Sequence, residues 1–284
     1  MVVIALALCC SVTGLRSTSL RRVLRRSKTR EGGDDLSTRL PLLLRDASSQ
    51  PVFEAGEAAP PRLAYLGLWL GLLIYAFSLA PGGSDASGIV DAEIIKTMIS
   101  TPFEASNPSS PVFTSIFNAL GILPAVYASL LLPGSKLGQR LPALPFVLGS
   151  FALGFFGVGP YLGLRNKRES VLDSERGRGS ILFEFKGTSL VLLGFALYLI
   201  YFAVNGTYAG ADRWSDYMAL FSSSRLAHVS TIDFSILSLA MLDPLGEDMK
   251  RRNWSGPNAE VFCAVPVLGP CVWLLVRPSL PTTR

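Results

Sequence analysis

The chain has 284 residues, 49% of them hydrophobic and 17% charged, and its mean hydropathy is +0.40. Soluble domains carry about 25% charged residues, so a chain this poor in charge is expected to have an apolar outer surface, with lipid as its solvent. The net charge of +5 is local: residues 1–30 hold six Arg, one Lys and no acid, while residues 31–284 hold 19 Lys and Arg against 21 Asp and Glu, which excludes a basic nucleic-acid-binding stripe on the folded body.

The first element in chain order is a leader. Residues 1–14 contain the apolar run Val2 to Cys10, too short to cross a bilayer. Residues 15–28 follow, rich in Arg and Ser and free of acid, as organelle transit peptides are. A signal-like piece followed by a transit-like piece resembles the bipartite leaders of algae with secondary plastids, which implies a plastid membrane reached through a cleavable leader. A plain mitochondrial or chloroplast presequence is the alternative. The leader and the start of a linker take up residues 1–50, and the polar, Pro- and Gly-containing linker continues over 51–62.

Residues 63–280 are expected to form one integral membrane domain, an all-α polytopic bundle of about six transmembrane helices. The uncharged or nearly uncharged runs are 63–80, 111–132, 141–164, 187–211, 226–242 and 261–276. A crossing helix needs about 20 residues, so the second to fourth runs are the strongest and the last two the weakest. The runs are continuous rather than alternating, which favours helices over a barrel. Pro124, Pro145, Pro160, Pro266 and Pro270 are expected to kink them. Glycines at 149, 154, 157, 159 and 163 allow close approach of another helix or of a flat ligand. With six crossings the basic residues divide eight against ten between the two sides, too even to orient the chain. The loop 81–110, with four acids and one Lys, is expected on the translocated side.

Cys9 and Cys10 lie in the leader, and Cys263 and Cys271 lie in the last run. No Cys or His spacing suggests a metal site, and no metal is expected. Walker, GxSxG, HExxH and CxxCH motifs are absent from the sequence, and a single histidine excludes a bis-histidine haem held by this chain alone. Asn205-Gly206-Thr207 and Asn253-Trp254-Ser255 match the glycosylation sequon, which a plastid protein would leave unmodified.

Two residues of the fifth run are the candidates for chemistry. His228 is the only histidine, and Asp233 is the acid set deepest in an apolar run. A carboxylate at membrane depth is costly and is expected to face the bundle interior with a partner. Five residues apart on a helix, the two lie about 140° apart around the axis and do not naturally touch. They are either interhelical glue or a pair that handles protons or polarises a ligand. Asp243, Glu247 and Asp248 precede Lys250, Arg251 and Arg252. This is expected to be an ion-paired helix end at the bilayer surface rather than a cation site, with Arg277 as a second interfacial anchor.

Asn107-Pro108, Phe113, Phe117 to Pro124, Leu141 to Phe146 and Gly159-Pro160-Tyr161, with the tail His228, Asp233-Phe234, Asp243, Glu247 to Met249 and Arg251-Arg252, resemble an uncharacterised multi-pass membrane protein family of cyanobacteria and plastids. A tail-only resemblance, through His228, Asp233-Phe234, the basic pair, Pro266 to Pro270 and Leu274 to Arg277, points to the plastid membrane proteins required for neoxanthin synthesis. The first family carries no assigned reaction, and the first reading of the chain is a non-enzymatic plastid membrane protein, of the thylakoid or envelope, that supports photosynthetic membranes either as an assembly factor or by binding pigment or lipid. Its partners would be the lipid bilayer, photosynthetic complexes, and carotenoid or chlorophyll. The second implies a carotenoid-modifying isomerase, with Asp233 and His228 as acid and base. A small-solute transporter is the third class, disfavoured by the lone deep acid and the absence of a repeat in the sequence.

Overall fold

The computed structural model describes residues 62–82, 85–103, 110–135, 139, 141–177, 179–206, 208, 210 and 212–282. The leader, the linker up to residue 61 and the Asn107-Pro108 pair lie outside the described residues. Every regular element among the described residues is helical, as the continuous apolar runs require. They are α1 (Leu63–Ile74) with a π-helical turn (Tyr75–Leu79), α2 (Asp85–Ser100), α3 (Pro111–Leu131), α4 (Ala143–Leu153), α5 (Phe155–Leu164), α6 (Ser180–Glu184), α7 (Lys186–Asn205), α8 (Arg213–Ser223), α9 (Arg225–Ala240), α10 (Leu242–Arg251), α11 (Ala259–Cys263) and α12 (Leu268–Val276).

Three helical stretches among the described residues are long and apolar enough to cross a membrane: Pro111–Leu131, Lys186–Asn205 and Arg225–Arg251, the last formed by α9 and α10 end to end. Their burial separates their roles. In α3 the apolar window is 78% buried, and in α7 only 22%. The central helix is therefore α3, with α4, α7, α9 and α12 packed around it, and α7 turns most of its apolar side chains outward. The start of α3 follows from its sequence: Ser110 caps the first turn by accepting the Phe113 N–H, and Pro111 takes the position where no N–H is needed.

The third apolar run is not one helix. The chain reverses at Gly154, where φ is +57°, and α5 folds back on α4. The pairing is antiparallel: Phe146 stacks on Tyr161 at 5.6 Å, and a side chain at Gly157 would stand 2.6 Å from the Ser150 nitrogen. The sixth run is likewise divided into α11 and α12 by a turn at Ala264–Val267, where Val267 has φ +64°. There Phe262 meets Trp273 edge-on at 5.5 Å. The six apolar runs thus form two helical hairpins and four longer helices among the described residues, rather than six single rods.

The prolines break less than their number suggests. Pro145 and Pro270 fall in first turns, where a missing N–H costs nothing. Pro160 lies inside α5 and frees the Phe156 carbonyl four residues back. The Trp69 indole of α1 donates to that carbonyl at 3.0 Å. The glycine series serves helix packing as well: Gly159 faces Trp69 and Gly163 faces Leu66, both of α1.

The two ends of the bundle differ in chemistry. At one end Ile94, Met98, Phe113, Tyr217, Leu220 and Ala227 bury a small apolar cluster beneath α2 and α8. Here Asp91 of α2 accepts from Ser224 Oγ (2.5 Å) and from the Leu226 N–H (3.1 Å), neutralising the N-terminus of α9. At the other end the starts of α1 and α7 meet the ends of α3, α5, α10 and α12 around a knot of ion pairs.

Candidate functional site

His228 stands in the first turn of α9, half-buried, and both of its ring nitrogens are engaged. Nδ1 lies 2.9 Å from the Phe221 carbonyl and Nε2 lies 2.6 Å from the Tyr75 hydroxyl. A carbonyl only accepts, so Nδ1 carries a proton, and Nε2 shares the second hydrogen bond with the Tyr75 hydroxyl. The imidazole also stacks on the Phe221 ring at 4.1 Å between centroids. His228 therefore ties the π-helical turn after α1 and the end of α8 to the start of α9.

Asp233 lies one and a half turns further along α9, buried against the α4–α5 reversal. Its Oδ1 accepts the Phe155 N–H at 2.9 Å, and its Oδ2 occupies the space a Gly154 side chain would need. The reason is local. The reversal leaves the first amides of α5 without intrahelical acceptors, and a carboxylate from α9 supplies one and favours the positive end of the helix dipole. His228 and Asp233 are not brought together: each faces a different neighbour, as their spacing around the helix requires.

The larger constellation is the one centred on α10. Glu247 binds Arg165 (2.5 Å) and also pairs with Arg251, four residues on. Asp248 accepts from Arg252 (3.0 Å), Arg277 (3.1 Å) and the Trp273 indole (3.0 Å). Asp243 gathers Arg62, Arg165 and Lys167, and Glu184 gathers Arg252 and Arg277. The side chains of Asp248 and Arg252 are fully enclosed, and Arg165, Arg251 and Arg277 are at most 2% exposed. The expected surface ion pairs are therefore a buried network, and Arg277 is one of its inner members rather than an interfacial anchor.

The arginines do a second task. Arg277 donates to the Ser129 carbonyl (3.0 Å) and Arg251 to the Leu130 carbonyl (2.6 Å), satisfying the C-terminal end of α3. Lys186 does the same for α12, donating to the Leu275 and Arg277 carbonyls at 2.6 and 2.7 Å. Burial pulls the Arg252 guanidinium down, but Asp248 and Glu184 outweigh it and hold its pKa above the ordinary value. For Arg277 burial prevails over Asp248, and the group sits below its ordinary value.

Each acid of the network is matched by at least one guanidinium, and no group of three or more His, Cys, Asp or Glu among the described residues is arranged to hold a metal ion. Cys263 and Cys271 are both free thiols in α11 and α12. The sequence reading foresaw the pairing of Asp243, Glu247 and Asp248 with basic residues. It missed Arg62, Arg165, Lys167 and Arg277 as their partners, the most distant of them 181 positions away in the chain, and Glu184 as a further acid of the network. Comparison with protein-family models, with curated proteins and with solved structures gives no match.

Proposed function

We propose that this chain is an integral protein of a plastid membrane that acts without catalysis, supporting the assembly of photosynthetic membranes or holding pigment or lipid against its outer helices. The observation that carries the reading is the use made of His228 and Asp233. Both nitrogens of the one and Oδ1 of the other make bonds that join separate segments of the bundle, so helix packing alone accounts for the two residues without an acid–base role. The apolar face of α7, with Leu190, Val191, Leu197, Ile200, Tyr201 and Val204 turned outward, suits acyl chains or a hydrophobic pigment. The plastid rests on the two-part leader and on the family resemblance.

A knockout strain tests the reading. The expected phenotype is reduced accumulation of one photosynthetic complex with the order of carotenoid intermediates unchanged. Accumulation of a single xanthophyll precursor with photosynthetic complexes intact would instead make the protein a carotenoid-modifying enzyme.

A further inference from the structure

We infer that the chain crosses the membrane four times, and that both helical hairpins dip in from one face, which is the side from which the polypeptide is inserted. The inference rests on the membrane reading above.

The geometry gives the path. Arg62 at the start of α1 pairs with Asp243 of α10, so α1 begins at the ionic end, and Tyr75 near its far end meets His228 at the opposite end. From there α2 leads into α3, whose last carbonyls return to Arg251 and Arg277 of the ionic end. The α4–α5 hairpin starts beside α3 at that end and comes back to it at Arg165. Ten residues of α5 rise about 15 Å, half of a hydrocarbon core about 30 Å thick, so the Gly154 reversal lies near mid-depth. An irregular backbone is tolerated there only when protein satisfies it, and Asp233 does so. Lys186 opens α7 at the ionic end, α8 lies across the opposite end, and α9 with α10 returns. The α11–α12 hairpin then leaves and re-enters the same end, with Arg277 closing it.

This path redistributes the charge. Among the described residues, the end opposite the ionic network carries only Lys96, Arg213 and Arg225 as basic residues. The ionic end carries Arg62, Lys186 and Arg277, then Arg165, Lys167, Arg168 and Arg176 between α5 and α6, and Lys250, Arg251 and Arg252 after α10, ten in all. Over these same described residues, six crossings would divide the basic charge four against nine, and this path divides it ten against three. Short loops rich in Lys and Arg stay on the side of insertion, which in a plastid inner membrane is the stroma. The end with Asp91, Glu93, Asp212, Asp216 and the exposed Trp214 faces the translocated compartment.

Single-cysteine labelling of the full chain tests this, in a background with Cys9, Cys10, Cys263 and Cys271 changed to alanine. Sealed vesicles of known sidedness are treated with a membrane-impermeant maleimide, and labelling after detergent solubilisation confirms that each thiol is reactive. Ser135→Cys and Ser170→Cys flank the first hairpin, and Ser255→Cys and Ser279→Cys flank the second. All four are expected to label from the insertion side, and Ser100→Cys and Ser222→Cys from the other. Opposite sidedness within either flanking pair overturns the hairpins, and a complete reversal of sides overturns the orientation. Release of the protein by alkaline carbonate would instead overturn the membrane reading itself.

Discussion

At Asp233 the carboxylate and a glycine are a matched pair. The acid fills the space left by Gly154, and the reversal that Gly154 permits exposes the amide the acid accepts. Asp233→Asn keeps an oxygen acceptor of the same reach, so its stability in detergent and its abundance should match the parent. Asp233→Ala strands the Phe155 N–H and should lower stability by about 1–3 kcal/mol. Gly154→Ala should cost about as much or more, because a positive φ in a residue with a side chain costs about 1–3 kcal/mol and the new methyl group displaces the carboxylate. Thermal melting of the three purified variants checks the ordering. Equal losses for Asp233→Asn and Asp233→Ala would mean that the ionised carboxylate, not the acceptor, is what the fold needs. That Asp233 faces the interior with a partner was legible in the sequence, since a deep acid demands one. That the partner is a backbone amide 78 positions away was not, because nothing in residues 141–164 marks a reversal except a glycine among several.

At the scale of elements, hydropathy locates apolar runs but is blind to the direction of the chain within them. It found α3 and the start of α7 to within one residue, and carried α7 six residues past its end at Asn205. It read 141–164 and 261–276 as single rods because the turns at Gly154 and at Ala264–Val267 are themselves apolar. It also ended the fifth run at residue 242, where the charges begin, whereas the helix continues to Arg251 because those charges are paired inside the protein. The network gives this continuation its stability. Asp248→Asn should destabilise the protein by about 3–5 kcal/mol, since breaking a buried pair leaves the partner charges uncompensated. Glu169→Gln removes the exposed pair with Lys250 and should change stability by no more than about 0.5 kcal/mol, because a pair in water is worth little. Melting temperatures measured side by side distinguish a buried network from a set of surface pairs, for which the two losses would be alike.

On the scale of the whole molecule, the fold has a mechanical logic. A central helix, α3, has its carbonyl end held by arginines from α10 and α12, and the hairpins fill the volume that full crossings would otherwise take. The surface left over is apolar on α7, on α1 at Leu63 and on the π-helical turn at Phe77 and Leu79, which fits a protein that works through its lipid- or partner-facing sides. The central claim, that this protein acts without acid–base chemistry at His228 and Asp233, is tested most directly by one measurement. A knockout strain is complemented with the double variant His228→Gln, Asp233→Asn, and its pigment composition is read at matched protein level. The account predicts the pigment profile and photosynthetic complexes of the strain complemented with the unaltered chain. A double variant that accumulates normally yet leaves the knockout profile in place would contradict it.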